Sequence, residues 1–80
     1  MRLDKYLKVS RIIKRRTIAN EACDAGRVLV NDKVAKAGYE MKPGDKIEIR
    51  FGEKRTKFEV LYLDERAARG ADSLMYKAVD

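Results

Sequence analysis

Residues 2–16 read RLDKYLKVSRIIKRR. Leu3, Tyr6 and Leu7 recur there at i, i+3 and i+4, which sets them on one stripe of a short amphipathic helix while Arg2, Lys5 and Lys8 point elsewhere. Ser10 ends that helix, and Ile12 and Ile13 turn inward within a basic connector that runs on to Arg16. A second helix is expected to follow. Thr17 is placed as its N-cap, although position 20 is Asn, so no full capping box forms. Ile18, Ala19, Ala22 and Cys23 mark its buried stripe, and Gly26 is the left-handed residue that terminates it.

Beyond this helical pair the periodicity changes to that of strands. In RVLVNDKVAK, residues 27–36, Val28 and Val30 alternate, Asn31 and Asp32 tolerate the positive φ of a tight turn, and Val34 resumes the apolar pattern. This predicts a β-hairpin. Gly38 interrupts it, and Lys42-Pro43-Gly44-Asp45 has Pro and Gly where a type II turn prefers them. A strand over 46–51 sets Ile47, Ile49 and Phe51 against Lys46, Glu48 and Arg50; after a polar turn at 52–56, a strand over 57–62 aligns Phe58, Val60 and Tyr62. Residues 64–70 read as an exposed linker, and Asp72 or Ser73 as the cap of a short helical turn carrying Leu74, Met75 and Ala78. The expected fold class is α+β: two N-terminal helices packed on a small, mostly antiparallel sheet, with a short C-terminal helical extension. The domain is expected to run over 1–64, with the extension over 65–80.

The opening stretch also holds the excess charge. Of a net +6, residues 1–16 contribute all, with seven basic side chains against one acid, while residues 17–80 hold 12 of each sign. So concentrated a field steers phosphates, which makes nucleic acid the leading partner. A solvated basic helix would carry the same charge with no partner, and a membrane surface is weakened as an alternative by the modest apolar content and the lack of a second anchor. Eighty residues make one small domain with no room for a separate catalytic one. There is no His, and Cys23 is the one cysteine, so the usual general base, a zinc site and an internal disulfide are all unavailable. No phosphate-cradling loop, GxSxG or HExxH motif occurs. The expectation is a binding module rather than an enzyme, with no cofactor or metal. With no apolar run of membrane-spanning length and no signal-peptide core, a cytoplasmic address is expected.

Folded RNA is held mostly through phosphates and 2′-hydroxyls, which suits the planar fork of arginine. Arg11, Lys14 and Arg15 supply the field, and Lys5 and Lys8 extend it. Asp4, the lone acid, could make a surface pair with Lys8, or could hold an arginine in a fixed pose. Two other functions fit the same residues. One is a general RNA chaperone or ribosome-assembly factor; the other is a protein-interaction adaptor that recruits its partner by strand edges.

The order of residues also resembles a known family. Arg2-Leu3-Asp4 with Leu7, Arg16-Thr17 with Ala19, Gly26-Arg27-Val28 with Val30-Asn31, and Pro43-Gly44-Asp45 with Ile47 are similar to the RNA-binding domain of the ribosomal protein S4 type, over residues 1–51. Thr17 stands where that family often has Ser, and Asp32 where it often has Gly; both are mild departures. Stand-alone members of this size are the fifteen-kilodalton heat-shock proteins and the RqcP family of ribosome quality-control factors, and the opening RLDKYLKVSRIIKRRT is similar to the latter. The resemblance implies that Arg2 and Arg16 contact RNA and that Gly26, Pro43 and Gly44 are structural. It also implies a monomer that binds a dissociated large ribosomal subunit obstructed by peptidyl-tRNA. There it would contact rRNA and the tRNA carrying the nascent chain, supporting C-terminal alanine tailing by RqcH on the same subunit.

Overall fold

Helix α1 spans Leu3–Val9 and helix α2 spans Arg16–Asp24 in the computed structural model, which describes residues 1–63 and 75–79. At seven residues, α1 is too short to persist alone in water. Long-range contacts hold it: the N–H groups of Leu3 and Asp4 donate to the carbonyls of Tyr39 (2.8 Å) and Ala37 (3.1 Å). Leu3, Tyr6 and Leu7, the expected stripe, are wholly buried.

Ser10 is the C-cap of α1, as its position suggested. Arg11 follows with φ +66°, and its N–H donates to the carbonyl of Lys8. The chain therefore reverses with an arginine in the left-handed conformation that a C′ position usually gives to glycine. Helix α2 begins one residue before the expected cap: Arg15 is the N-cap, with no side-chain capping bond, and Thr17 lies within the first turn. A bond from Arg16 to Asp4 draws that turn onto α1, which a hydroxyl cap at position 17 would have left outside the helix. Ile18 is likewise corrected from the buried stripe to the surface, since it lies about 100° around the helix from Ala19 and only Ala19, Ala22 and Cys23 face the core. The other end of α2 closes as expected, with Gly26 at φ +74° and the N–H groups of Gly26 and Arg27 bonded to the carbonyls of Cys23 and Ala22, a Schellman motif.

Strands β1 (Val28–Val30), β2 (Lys33–Val34), β3 (Lys46–Phe51), β4 (Lys54–Val60) and β5 (Tyr76–Val79) form one sheet in the order β2-β1-β3-β4-β5, every pairing antiparallel. Val30 pairs with Lys33 around Asn31 and Asp32, both at positive φ, the geometry of a type I′ turn. The Pro43-Gly44 turn forms with Gly44 at φ +91° and the Asp45 N–H bonded to the Lys42 carbonyl. Asn31 ties the two turns together, donating from Nδ2 to Asp45 Oδ1 and accepting the Lys46 N–H.

β4 begins at Lys54, three residues before the expected start, because Phe51 pairs with Lys54 across a two-residue turn led by Gly52 at φ +58°. Of the expected 52–56 turn, Gly52 and Glu53 make the turn and Lys54, Arg55 and Thr56 are strand. Phe51 and Val34, set by the sequence pattern with buried residues, are instead exposed: Phe51 ends β3 beyond the core, and Val34 stands opposite Leu29 on the outer face of the edge strand β2. The C-terminal helical turn is corrected as well. Residues 76–79, including Ala78, form β5 on the open edge of β4, where they satisfy that edge's backbone groups. The remainder of that expectation, the 64–70 linker and the caps at Asp72 and Ser73 with Leu74, lies outside the described residues, as does the boundary drawn after residue 64.

One core forms between the helices and a single face of the sheet, joining Leu3, Tyr6, Leu7, Ala19, Ala22 and Cys23 to Val28, Val30, Ile47, Ile49, Val60 and Met75. Burial, helped by Asp4 and Asp24, pushes the Cys23 thiol up to about 11, so it is kept as a protonated apolar group.

Candidate nucleic-acid interface

Asp4 is 2 % exposed, and its carboxylate is the point on which the opening stretch converges. Its Oδ1 accepts the N–H of Lys5 at 2.8 Å and lies 3.3 Å from Arg2 Nε. Its Oδ2 accepts from Arg16 Nε at 3.2 Å and from Asn20 Nδ2 at 3.4 Å. Two arginines fourteen positions apart in the chain are therefore held by one carboxylate, and their guanidinium groups share one face of the helical pair. Among the described residues, the partners of Asp4 do not include Lys8, so the bland surface pair is not formed.

The elements explain this placement. Arg2 is the N-cap of α1, fixed by its bridge to Glu40, and Arg16 is the first residue of α2. Asn20 lies one helical turn after Arg16 and so on the same side of α2. That i, i+4 spacing is the signal by which Asn20 could have been found in the sequence. Burial alone would raise the pKa of Asp4, but the hydrogen bonds from Arg16, Asn20 and Lys5, with the nearby Arg16 charge, outweigh it and lower the carboxyl from its ordinary 3.8. A carboxyl depressed in the folded protein adds stability that is present above about pH 4 and is lost as pH falls through the folded value. Because the Arg2 and Arg16 side chains are 51 % and 48 % exposed, the ion pairs themselves stabilise little; their effect is to fix direction.

The other basic residues surround this pair. Lys5 and Lys8 are exposed on α1, Arg11 and Lys14 are exposed in the turn, and Arg15 is exposed at the start of α2. Arg11 alone among them sits in a costly backbone conformation, roughly 1–2 kcal/mol above the right-handed region for a residue with a Cβ. Arg11→Gly is therefore expected to raise the melting temperature by a few degrees while weakening RNA binding. A lowered melting temperature would show that the arginine side chain is needed for folding.

Asp4→Asn separates orientation from charge. The substitution adds one positive unit, so a purely electrostatic surface would bind RNA more tightly. An asparagine presents an N–H donor to at least one of the donors that Asp4 now accepts, so the arginines lose their fixed pose. The expected result is binding about tenfold weaker, or about 1.4 kcal/mol. Titration at two salt concentrations checks it, and tighter binding would refute the orienting role.

Residues 1–47 match the S4 domain, more than half of the chain. The RQC P-site tRNA stabilizing factor of Halalkalibacterium halodurans is 51 % identical over 77 residues, covering 96 % of this chain and 88 % of that one. The protein of the same name from Bacillus subtilis is 47 % identical over 76 residues, covering 95 % and 88 %. A solved structure of Vibrio cholerae heat shock protein 15, described as trimeric, superimposes with a TM-score of 0.82 at 28 % identity, covering 99 % of this chain and 81 % of that one. The chain belongs to the S4 domain family and, within it, to the RqcP family of RQC P-site tRNA stabilizing factors. RNA binding and ribosome quality control are the functions these matches support. No helix among the described residues is long and apolar enough to cross a membrane.

Proposed function

We propose that this protein is a non-catalytic, cytoplasmic and monomeric factor of ribosome quality control. It binds the dissociated large ribosomal subunit obstructed by peptidyl-tRNA, contacting rRNA and the tRNA that carries the nascent chain. By holding that tRNA it supports C-terminal alanine tailing by RqcH on the same subunit. Arg2 and Arg16 make the directed contacts to phosphates, and Arg11, Lys14, Arg15, Lys5 and Lys8 attract and surround the RNA. The observation that carries this reading is the buried carboxylate of Asp4, which by itself aims two arginines from separate helices at one surface. It is supported by relatives whose name states that they stabilise a P-site tRNA.

The test is to recover the tagged protein from cells after crosslinking and to sequence the RNA bound to it. Large-subunit rRNA together with tRNA is the expected result. Messenger fragments in their place would favour a general RNA chaperone, and recovery of protein without RNA would favour an adaptor. Sedimentation with purified large subunits should lose the protein from the subunit fraction as salt rises, because each phosphate contact releases counterions.

A further inference from the structure

The outer face of the sheet is a second cationic surface that the one-dimensional charge distribution conceals. With Ile47, Ile49 and Val60 turned to the core, strand alternation puts Lys46, Glu48 and Arg50 of β3 on the opposite face. Arg55, Lys57 and Glu59 of β4 and Lys77 of β5 join them through the register. Lys46, Arg50, Arg55, Lys57 and Lys77 are all exposed there, against the two carboxylates of Glu48 and Glu59. The net charge of this face is therefore +3.

The carboxylates sit low and steady the cations. Glu48, 8 % exposed, accepts from Arg50 Nε at 2.7 Å on one oxygen and faces Lys57 Nζ at 3.8 Å on the other. Both its oxygens are thereby used. Glu59 lies 4.0 Å from Lys77 Nζ. Arg55 is directly opposite Arg50 in the register, and among the described residues no carboxylate pairs with it. Like charges directly opposite one another destabilise a strand pair, and here Arg50, Arg55 and Lys57 share the single carboxylate of Glu48, so the face keeps a positive excess.

A polyanion compensates it. Strands about 4.8 Å apart, with same-face residues about 7 Å along each strand, spread the cations over a flat grid suited to a chain of phosphates. Leu29 and Val34 lie on the same face, on β1 and β2, Leu29 buried and Val34 exposed at the sheet's edge. Among the described residues of β3, β4 and β5 only Val79 is apolar there, so the cationic part of the face lacks the apolar anchors expected at the centre of a protein interface. We propose that this outer face binds a second RNA segment, while the Asp4-held arginines engage the first. The proposal rests on the RNA-binding reading above and adds a separate surface to it.

The full-length protein is titrated with a fluorescent RNA duplex across a salt series. Donor- and acceptor-labelled duplexes then report whether one protein brings two together. Lys46→Gln/Arg55→Gln is the outer-face variant and Arg16→Gln the helix-face control; both outer-face positions are exposed, and the variant loses the Arg50–Arg55 repulsion together with the Lys46–Glu59 pairing, so the melting temperature should hold. The expected result is a salt slope shallower by about two for the outer-face variant, at about 0.9 per phosphate contact. Energy transfer between duplexes should also fall several-fold, with binding of one duplex retained. If this variant keeps the wild-type slope and energy transfer while Arg16→Gln weakens binding, the outer-face site is refuted and the helix-face reading stands. If wild-type protein binds neither duplex nor large subunits, the RNA reading fails and the outer-face site with it. If the variant loses affinity for polyglutamate but not for RNA, the face serves an acidic protein and the proposal is overturned.

Discussion

Arg2→Ala/Arg16→Ala binds large ribosomal subunits about 100-fold more weakly than the wild type, a loss of about 2.7 kcal/mol. Each arginine contributes one charge-assisted set of bonds to phosphate, and hydrogen bonds to charged groups contribute about 1.5–3 kcal/mol apiece before screening. The slope of log affinity against log salt should also become shallower by about two. Both side chains are about half exposed, so the fold should survive with its circular-dichroism spectrum intact. Some melting temperature will be lost, because Asp4 loses two of its donors and keeps Asn20 and the Lys5 N–H. Arg2→Lys/Arg16→Lys restores the charge without the planar fork. Its affinity should lie between the two if direction matters, and at the wild-type value if charge alone does. Unchanged sedimentation of the double alanine variant would remove this site from the function.

The second large effect is on stability. Tyr6 is wholly buried on α1, and its hydroxyl donates a 2.8 Å bond to the carbonyl of Met75, which lies just before β5. Burial, with Tyr76 adding to it, pushes the hydroxyl's pKa well up, so it remains a donor throughout the accessible pH range. Tyr6→Ala leaves a cavity between α1 and the sheet and should cost about 3–5 kcal/mol. A small domain has only about 5–15 kcal/mol in all, so the melting temperature falls by tens of degrees or the chain unfolds. Tyr6→Phe keeps the ring and removes one bond, for about 1 kcal/mol, since the Met75 carbonyl also accepts from the N–H groups of Leu61 and Tyr62. Urea denaturation of the two variants checks the ratio. Equal losses would place the importance of Tyr6 in its hydroxyl rather than in packing.

These two predictions separate residues that the opening stretch interleaves. Tyr6 lies between Lys5 and Lys8 in sequence, yet it belongs to the core. Arg2 and Arg16, half exposed, belong to the surface. The i, i+3, i+4 spacing makes the distinction legible in the sequence, because a helix of fixed pitch sorts neighbours to different faces whatever surrounds it.

What the sequence determined by itself is local. The hairpin turn at Asn31-Asp32, the turn at Pro43-Gly44 and the helix stop at Gly26 each follow from residues whose own backbone preferences suffice. The two helices, the antiparallel character of the sheet and the concentration of charge in residues 1–16 were readable on the same grounds. Tertiary structure decided whatever depends on a partner distant in the chain. Residues 76–79 became a strand because β4 offered an unpaired edge, and that edge outweighed a weak helical tendency. α2 starts at Arg16 because Asp4, twelve residues earlier, accepts its side chain. The cations of the outer face are balanced by acids elsewhere in the chain, so only the register of β3, β4 and β5 gathers them. Side-chain direction is set by pairing across strands and contact between helices, and neither acts between neighbours in a sequence.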